Sequence, residues 1–430
     1  MFGKLKQISK SSLFKNSFIY IATDSINKAI PFLLLPVITA YLLPAEFGIV
    51  NNFLIFSSIL MIIIGLNMDG AVSANFYKLS ENELKKYITS VVFLISIAFI
   101  ISLGLIFVFH QLIYDYTKIT LLYQALTAVL AYFYIITTIH LAVWRLREQA
   151  IKFGIYQILQ TAMNLGLSLY FIIVLARGWE GRALGNLIAC IVFGLVSILI
   201  LYKRQLIGSK ISKAYVLDAL YFGLPLVPHA LSTWIRYGID RVFITKYIGE
   251  EVNGIYATGF QFGVLMTFLT VAFNNAFVPF LFKKLSNPNS QELELSKKNL
   301  VKMSYGIAVA LVILCIFLSV VSYYIIEYFM PESYKGAQMF VFWALLTQTF
   351  QGLYFLVGNY IFFVKKTKIF ALITFSCSMI QVILTYFLIQ SHGALGAAYA
   401  AVIVGVLNFV AVWIYSQRVY PMPWFNILSR

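Results

Sequence analysis

The stretch Tyr237–Gly263, YGIDRVFITKYIGEEVNGIYATGFQFG, lies just past the midpoint of the 430-residue chain and decides how the rest is read. Together with the residue before it, it sets Arg236, Asp240 and Arg241 inside an otherwise apolar run of helix length. It also copies an earlier segment. Ile38, Thr39, Tyr41, Gly48 and Ile49 recur as Ile244, Thr245, Tyr247, Gly254 and Ile255, each 206 positions later without a gap. A second set, Ala183, Leu184, Gly185, Ala189 and Gly194, recurs as Ala394, Leu395, Gly396, Ala400 and Gly405, 211 positions on. The growth in offset marks a small insertion in the second copy. In a membrane chain such a duplication points to a transporter of two lobes, here 1–208 and 209–430.

That the chain is a membrane protein follows from composition. Hydrophobic residues make up 61% and charged residues 11%, far from the roughly 25% charged of soluble domains. The apolar runs are continuous and do not alternate, which excludes a β-barrel and predicts an all-α polytopic fold. A span needs about 20 apolar residues. Twelve candidates lie near 17–42, 47–67, 88–109, 120–144, 153–175, 182–202, 218–246, 254–282, 302–327, 338–364, 369–390 and 394–416.

The net charge of +16 reads as topology, not as a nucleic-acid surface, because the basic residues fall in short clusters between spans. With the N-terminus inside, the inner segments hold 24 Lys and Arg and the outer segments five: Lys118, Arg177, Arg182, Lys246 and Lys335. The remaining three, Lys28, Arg236 and Arg241, complete the 32 and lie within spans. Both termini are therefore expected to be cytoplasmic. The longest polar stretch, Lys283–Lys302, reads as a cytoplasmic loop. The N-terminus is not expected to be a cleaved signal, since its basic residues lead into a long span without a small-residue cleavage site. Cys190, Cys315 and Cys377 lie far apart in apolar runs and suggest neither a disulfide frame nor a thiolate metal site. No phosphate-cradling GxxxxGK[ST] motif occurs, so no cofactor is expected and energy must come from gradients or the membrane potential.

Charges inside a membrane are costly and face a cavity or a partner. Asp24 and Lys28 fall in the first span, His140 in the fourth, and His229, Arg236, Asp240 and Arg241 in the seventh. Asp24 with Lys28, and Arg236 with Asp240, are four apart and can pair on one helix face. Three cations against two anions leave the equivalent first and seventh spans net positive, which suits an anionic headgroup, and Arg grips phosphate bidentately. His140, His229, Asn274 and Asn275 are candidate sugar or phosphate contacts, or else groups satisfied within the bundle. Asp24 and Asp240 are the carboxylates available for ion coupling. Pro31, Pro36, Pro225 and Pro228 fall in the same two spans, as static kinks or as a gate. Neither paired catalytic carboxylates nor a nucleophile beside a base stand out, and an enzyme is not expected.

Three motifs carry a resemblance. They are Pro31–Thr39 followed by Tyr41-Leu42 and Glu46-Phe47-Gly48; Asp69-Gly70-Ala71 with Phe76-Tyr77; and Asp240-Arg241 with Ile244, Gly249, Gly254 and Tyr256. In register over essentially the whole chain, they resemble the bacterial polysaccharide transporters. These are the O-antigen and capsule-repeat flippases of the multidrug/oligosaccharidyl-lipid/polysaccharide exporter superfamily. The resemblance implies a MATE-like fold of two six-helix bundles around a central cavity, in a bacterial inner membrane. It implies as cargo an undecaprenyl-pyrophosphate-linked oligosaccharide for O-antigen, lipopolysaccharide or a related surface polysaccharide. H+ or Na+ would couple, and a polymerase and chain-length proteins would be partners. Members often carry basic residues where this chain has Ala40 and Asn75, which throws weight onto Lys28, Arg236 and Arg241. A multidrug cation antiporter of the same superfamily, a membrane polymerase or ligase, and a flippase for the peptidoglycan precursor are the alternatives.

Overall fold

A computed structural model describes residues 16, 19–20, 23, 26–27, 30, 32–286 and 290–425. Among the described residues there is no strand. Continuous apolar runs placed in hydrocarbon must satisfy every backbone N–H and C=O within the segment, and a helix does so. Eleven helices are long and apolar enough to cross a membrane, and the chain is a multi-pass α-helical membrane protein. The expected first span falls largely outside the described residues. Its described end is α1 (Leu35–Tyr41). There follow α2 (Pro44–Gly65), the short α3 (Met68–Asn75), α4 (Glu81–Thr117), α5 (Leu121–Leu146), α6 (Ala150–Val174) and α7 (Gly178–Lys203). After these come α8 (Lys213–Tyr247), α9 (Glu250–Leu285), α10 (Ser290–Phe329), α11 (Glu332–Phe363), α12 (Thr367–His392) and α13 (Ala394–Val419).

Local sequence fixes several boundaries. Ser80 and Glu83 form a capping box at the start of α4, the Ser80 N–H donating to Glu83 Oε2 at 2.9 Å. Pro225 interrupts α8 with one turn of 3₁₀ helix, Leu224–Leu226, where a continuous α-helix would clash with the proline ring. The stretch read as a loop, Lys283–Lys302, is mostly helix: α9 runs to Leu285 and α10 begins at Ser290. Glu, Leu, Gln and Lys in SQELELSKKNLVK are strong helix formers, and their propensity carries α10 beyond the membrane. At 40 residues α10 is about 60 Å long, roughly twice the hydrocarbon thickness.

The chain divides into two compact units, up to Trp234 and from Ile235. In the first, Phe53, Leu60 and Ile64 of α2, Val91 and Ile95 of α4, and Ala128, Ala131 and Ile135 of α5 share one core with Leu187 of α7 and Ala219 of α8. Two polar ties cross it. Asp218 Oδ2 on α8 accepts from Tyr87 Oη of α4 at 2.9 Å and from Asn75 Nδ2 of α3 at 3.0 Å. Arg182, expected in an outer segment, is instead buried against α6, its Nη1 donating to Asn164 Oδ1 (2.6 Å) and Ser168 Oγ (2.7 Å). The guanidinium thus reaches polar partners on the neighbouring helix that lipid does not offer. In the second unit, α11 is a central element, burying Phe340, Val341, Ala344 and Leu345 on one stretch and Leu356, Val357, Tyr360 and Ile361 on the next. Outward, α4 and α10 expose Phe107, Val108, Ile313 and Phe317, apolar groups suited to contact with lipid tails.

The duplicated glycines reveal how each unit closes. Lipid gives helices no hydrophobic drive to associate, so contact depends on close backbone approach through small residues. A Cβ on Gly185 of α7 would lie 2.5 Å from the Ser168 nitrogen of α6, and one on Gly396 of α13 would lie 1.9 Å from the Leu388 oxygen of α12. The next pair faces the corresponding helices, Gly194 of α7 too close to Phe133 of α5 for a Cβ (2.6 Å) and Gly405 of α13 at ordinary contact distance from Phe350 of α11 (3.4 Å). Each copy of the repeat thus rests its last helix on the same two predecessors. Gly185→Ala and Gly396→Ala are expected to destabilise the protein by about 1–3 kcal/mol each through overpacking. Gly104→Ala, where a Cβ meets nothing within 4 Å, is expected to be neutral or to stabilise by up to about 1 kcal/mol. Thermal unfolding in detergent checks all three, and equal melting temperatures for Gly185→Ala and the parent would refute the close approach.

Candidate functional site

The last part of α8 carries the charges that the sequence singles out, and the second unit folds around them. A cavity of about 210 Å³ lies within this unit, lined from α8 by Arg236, Tyr237, Asp240 and Arg241. Phe260, Gln261, Val264 and Thr267 of α9 close one side, and Thr347, Gln348, Phe350 and Gln351 of α11 another. Gln381 of α12 and Ala401, Val404, Gly405 and Asn408 of α13 complete the lining. Helical spacing explains the set: residues 236, 237, 240 and 241 form one face of α8, as i, i+1, i+4 and i+5 must. Small residues at Ala401 and Gly405 leave the space that larger side chains would fill.

The charges do not pair as their spacing suggests. Asp240, only 2% exposed, accepts the Tyr256 hydroxyl at Oδ2 (2.5 Å), while its Oδ1 accepts the Arg241 backbone N–H at 3.0 Å. The same Oδ1 stands 3.6 Å from Arg241 Nη1. Arg241 also donates to the Tyr237 carbonyl and lies 5.9 Å and 5.8 Å from the Tyr256 and Phe260 ring centres, within cation–π range. Arg236 turns away from Asp240 to the side-chain carbonyl of Gln351. The expected i, i+4 pair yields because Tyr256 and the main chain hold the carboxylate from the other side, desolvating it against its neighbour. The cavity therefore contains one closed ion pair and one guanidinium held by a neutral amide.

Other expected residues lie elsewhere. His140 is buried in the first unit, its Nδ1 3.0 Å from Ser197 Oγ and its ring against Trp144 and Tyr156. His229 is exposed on α8 and does not line the cavity. Asn274 accepts from Asn359 Nδ2 at 2.8 Å, a polar tie between α9 and α11, and Asn275 is exposed. Asp24 and Lys28 lie outside the described residues. Sequence reasoning passed over Gln351, Gln381 and Asn408. Each is a lone amide in an apolar run, and Gln348–Gln351 share a helix face; that spacing was the available signal.

Removing the Tyr256 hydroxyl leaves Asp240 Oδ2 short of a donor. Tyr256→Phe is expected to cost about 1–3 kcal/mol, and Asp240→Ala, which takes the carboxylate from the part-buried Arg241, at least as much. Their effects are coupled through one carboxylate, so the double variant should fall short of the sum. Denaturation in detergent micelles measures this cycle. Strict additivity would mean that Tyr256 does not act on Asp240.

Comparison with known proteins adds the family. Residues 13–285 match the model of a family described as polysaccharide biosynthesis protein. Two relatives from Haemophilus influenzae are similar along most of their length. An uncharacterised membrane protein is 28% identical, over 83% of this chain and 85% of its own. The other, Lsg locus putative protein 1, is 24% identical over 86% and 89%. Among solved structures, the fold is similar to an inward-facing multidrug resistance MATE family transporter of the MOP superfamily, with a TM-score of 0.73 at 15% identity, covering 90% of this chain and 93% of that one. It is also similar to the lipid II flippase MurJ in an inward closed conformation, with a TM-score of 0.68 at 17% identity over 93% and 87%. The structural likeness gives the architecture, MATE-like and all-α, and the sequence match, which spans more than half of the chain, gives the kinship: this chain belongs to the polysaccharide biosynthesis protein family.

Proposed function

We propose that the protein is a flippase that carries an undecaprenyl-pyrophosphate-linked oligosaccharide repeat, for O-antigen or a related surface polysaccharide, from the inner to the outer leaflet of a bacterial inner membrane. It works by alternating access, as a carrier and not an enzyme, with both termini cytoplasmic. The single observation that carries this reading is the cavity of the second unit, lined by two guanidinium groups, Arg236 and Arg241, and one carboxylate, Asp240. A charge at the bilayer centre costs at least about 2.5–3.5 kcal/mol on insertion scales. A chain that keeps Arg236 within a span, beside an amide and the Tyr237 ring and with no carboxylate of its own among the described residues, holds it for an anionic cargo. Family membership and the likeness of the fold to MATE and MurJ support the reading. Asp240 serves as counter-ion to Arg241, which leaves Asp24 as the carboxylate for H+ or Na+ coupling.

The rival readings fit less well. A multidrug antiporter for cationic drugs wants an excess of acid in its cavity, and the lining here has two bases to one acid. A polymerase or ligase wants a large outer segment bearing its catalytic groups, and the segments between the described helices are short. Deletion of the gene in its own host is expected to abolish surface polysaccharide and to trap complete lipid-linked repeats on the inner face. Single unpolymerised repeats on the outer face would identify a polymerase instead. Arg236→Ala should reproduce the deletion at unchanged membrane abundance, with Arg236→Lys intermediate because a compact ammonium retains charge but loses the fork of donors. Normal polysaccharide in Arg236→Ala would remove Arg236 from the site.

A further inference from the structure

We propose that the cavity of the second unit is a subsite for one carboxylated sugar ring, so that the cargo contains a uronic-acid-type residue. This deepens the flippase reading and rests on it. The charge count comes first. Arg241 and Asp240 cancel within a pair, leaving the single positive charge of Arg236, whose partners among the described residues, the Gln351 amide and the Tyr237 ring, are neutral. One net positive charge matches one carboxylate, which a guanidinium meets bidentately. A pyrophosphate diester brings two negative charges.

The unsatisfied amides separate the two anions further. Gln348 Oε1 and Asn408 Oδ1 are buried acceptors without a donor, and Gln381 Nε2 is a buried donor without an acceptor. Gln381 and Asn408 are each only 2% exposed, so bulk water does not relieve them at the surface. All three line the cavity. A phosphodiester has only acceptor oxygens and leaves both amide carbonyls unmet. Sugar hydroxyls donate and accept, and so match all three once these side chains, whose unmet atoms are closed to water in this structure, turn toward the ligand. A ligand that is both polyhydroxylated and singly anionic is an acidic sugar.

Size agrees. The cavity of about 210 Å³ equals about seven waters at ~30 Å³ each. It is smaller than the roughly 300–1,000 Å³ of pockets for drug-sized ligands. It takes one ring and not an oligosaccharide.

The full-length protein in lipid nanodiscs is titrated with sodium glucuronate, glucose and inorganic pyrophosphate at matched ionic strength, with thermal stabilisation as readout. Glucuronate is expected to half-saturate at a concentration about tenfold below that of glucose, the worth of one charge-assisted hydrogen bond. Arg236→Gln should erase that preference, Arg236→Lys should keep part of it, and Gln381→Leu should weaken both sugars alike. Equal response to glucose and glucuronate, a stronger response to pyrophosphate, or no response to any probe (a merely hydrated space) each overturns the subsite. If these arms fail while deletion still abolishes surface polysaccharide, the flippase reading stands and the acidic-sugar subsite falls. If glucuronate is selected but deletion leaves polysaccharide normal, the reverse holds.

Discussion

The structure of the second unit depends on how one carboxylate is held. Asp240 takes the Tyr256 hydroxyl on one oxygen and the Arg241 main chain and guanidinium on the other. A buried carboxylate needs donors on both oxygens, and with both of these engaged by Tyr256 and Arg241, Arg236, one turn earlier on the same face, is left to Gln351. Aromatic faces complete the enclosure of Arg241, with Tyr256 stacked on Phe260 at 4.2 Å and edge-on to Phe340. The site's net charge is thus a consequence of packing as much as of composition, because the same three charges with Arg236 on Asp240 would present Arg241 instead.

Around that centre the units are held by what lipid permits. Apolar side chains gain nothing from leaving hydrocarbon for a helix interface, so shape and buried polar groups carry association. Gly185 and Gly396 let their helices sit on the preceding backbone, and Asn274–Asn359 and Arg182–Asn164–Ser168 tie neighbouring helices with hydrogen bonds. Lone polar groups among spans therefore have two uses, glue and site. Asn274 serves as glue, whereas Gln381 and Asn408, unpartnered and walled in, belong to the cavity.

Much of this was legible in the chain. Hydropathy gave the eleven described spans in their order because a long apolar run has one stable backbone solution in lipid, and the Asp240-Arg241 motif falls on the lining of the candidate cavity. The charge pairing was not legible. Spacing of four allows Arg236 to meet Asp240, but the choice was made by Tyr256, sixteen positions on. The convergence of Gln348, Gln381 and Asn408 was hidden for a different reason. Helices apolar on nearly every side give no periodic signal for which face turns inward, so the rotation that brings three amides together is set by packing alone. The polar stretch 283–302 was misread as loop because polarity marks exit from the membrane, not the end of a helix.

The duplication sharpens what kind of site this is. Counting back 206 positions, Arg236, Asp240, Arg241 and Tyr256 fall on Ile30, Leu34, Leu35 and Val50, all apolar. Counting back 211, Asn408 falls on Ser197, whose hydroxyl is already engaged by His140 and Tyr156. At these positions the first copy is apolar, its own charges Asp24 and Lys28 standing at others, while the second keeps a cavity with unmet hydrogen-bonding atoms. Both copies retain the glycines that set helix against helix. What duplication preserved is the scaffold, and what diverged is the polarity of one face of one helix together with the amides opposite. A symmetric pair of sites would have kept the charges at equivalent positions; charges at different positions in the two copies are the pattern expected where a single asymmetric ligand group is recognised.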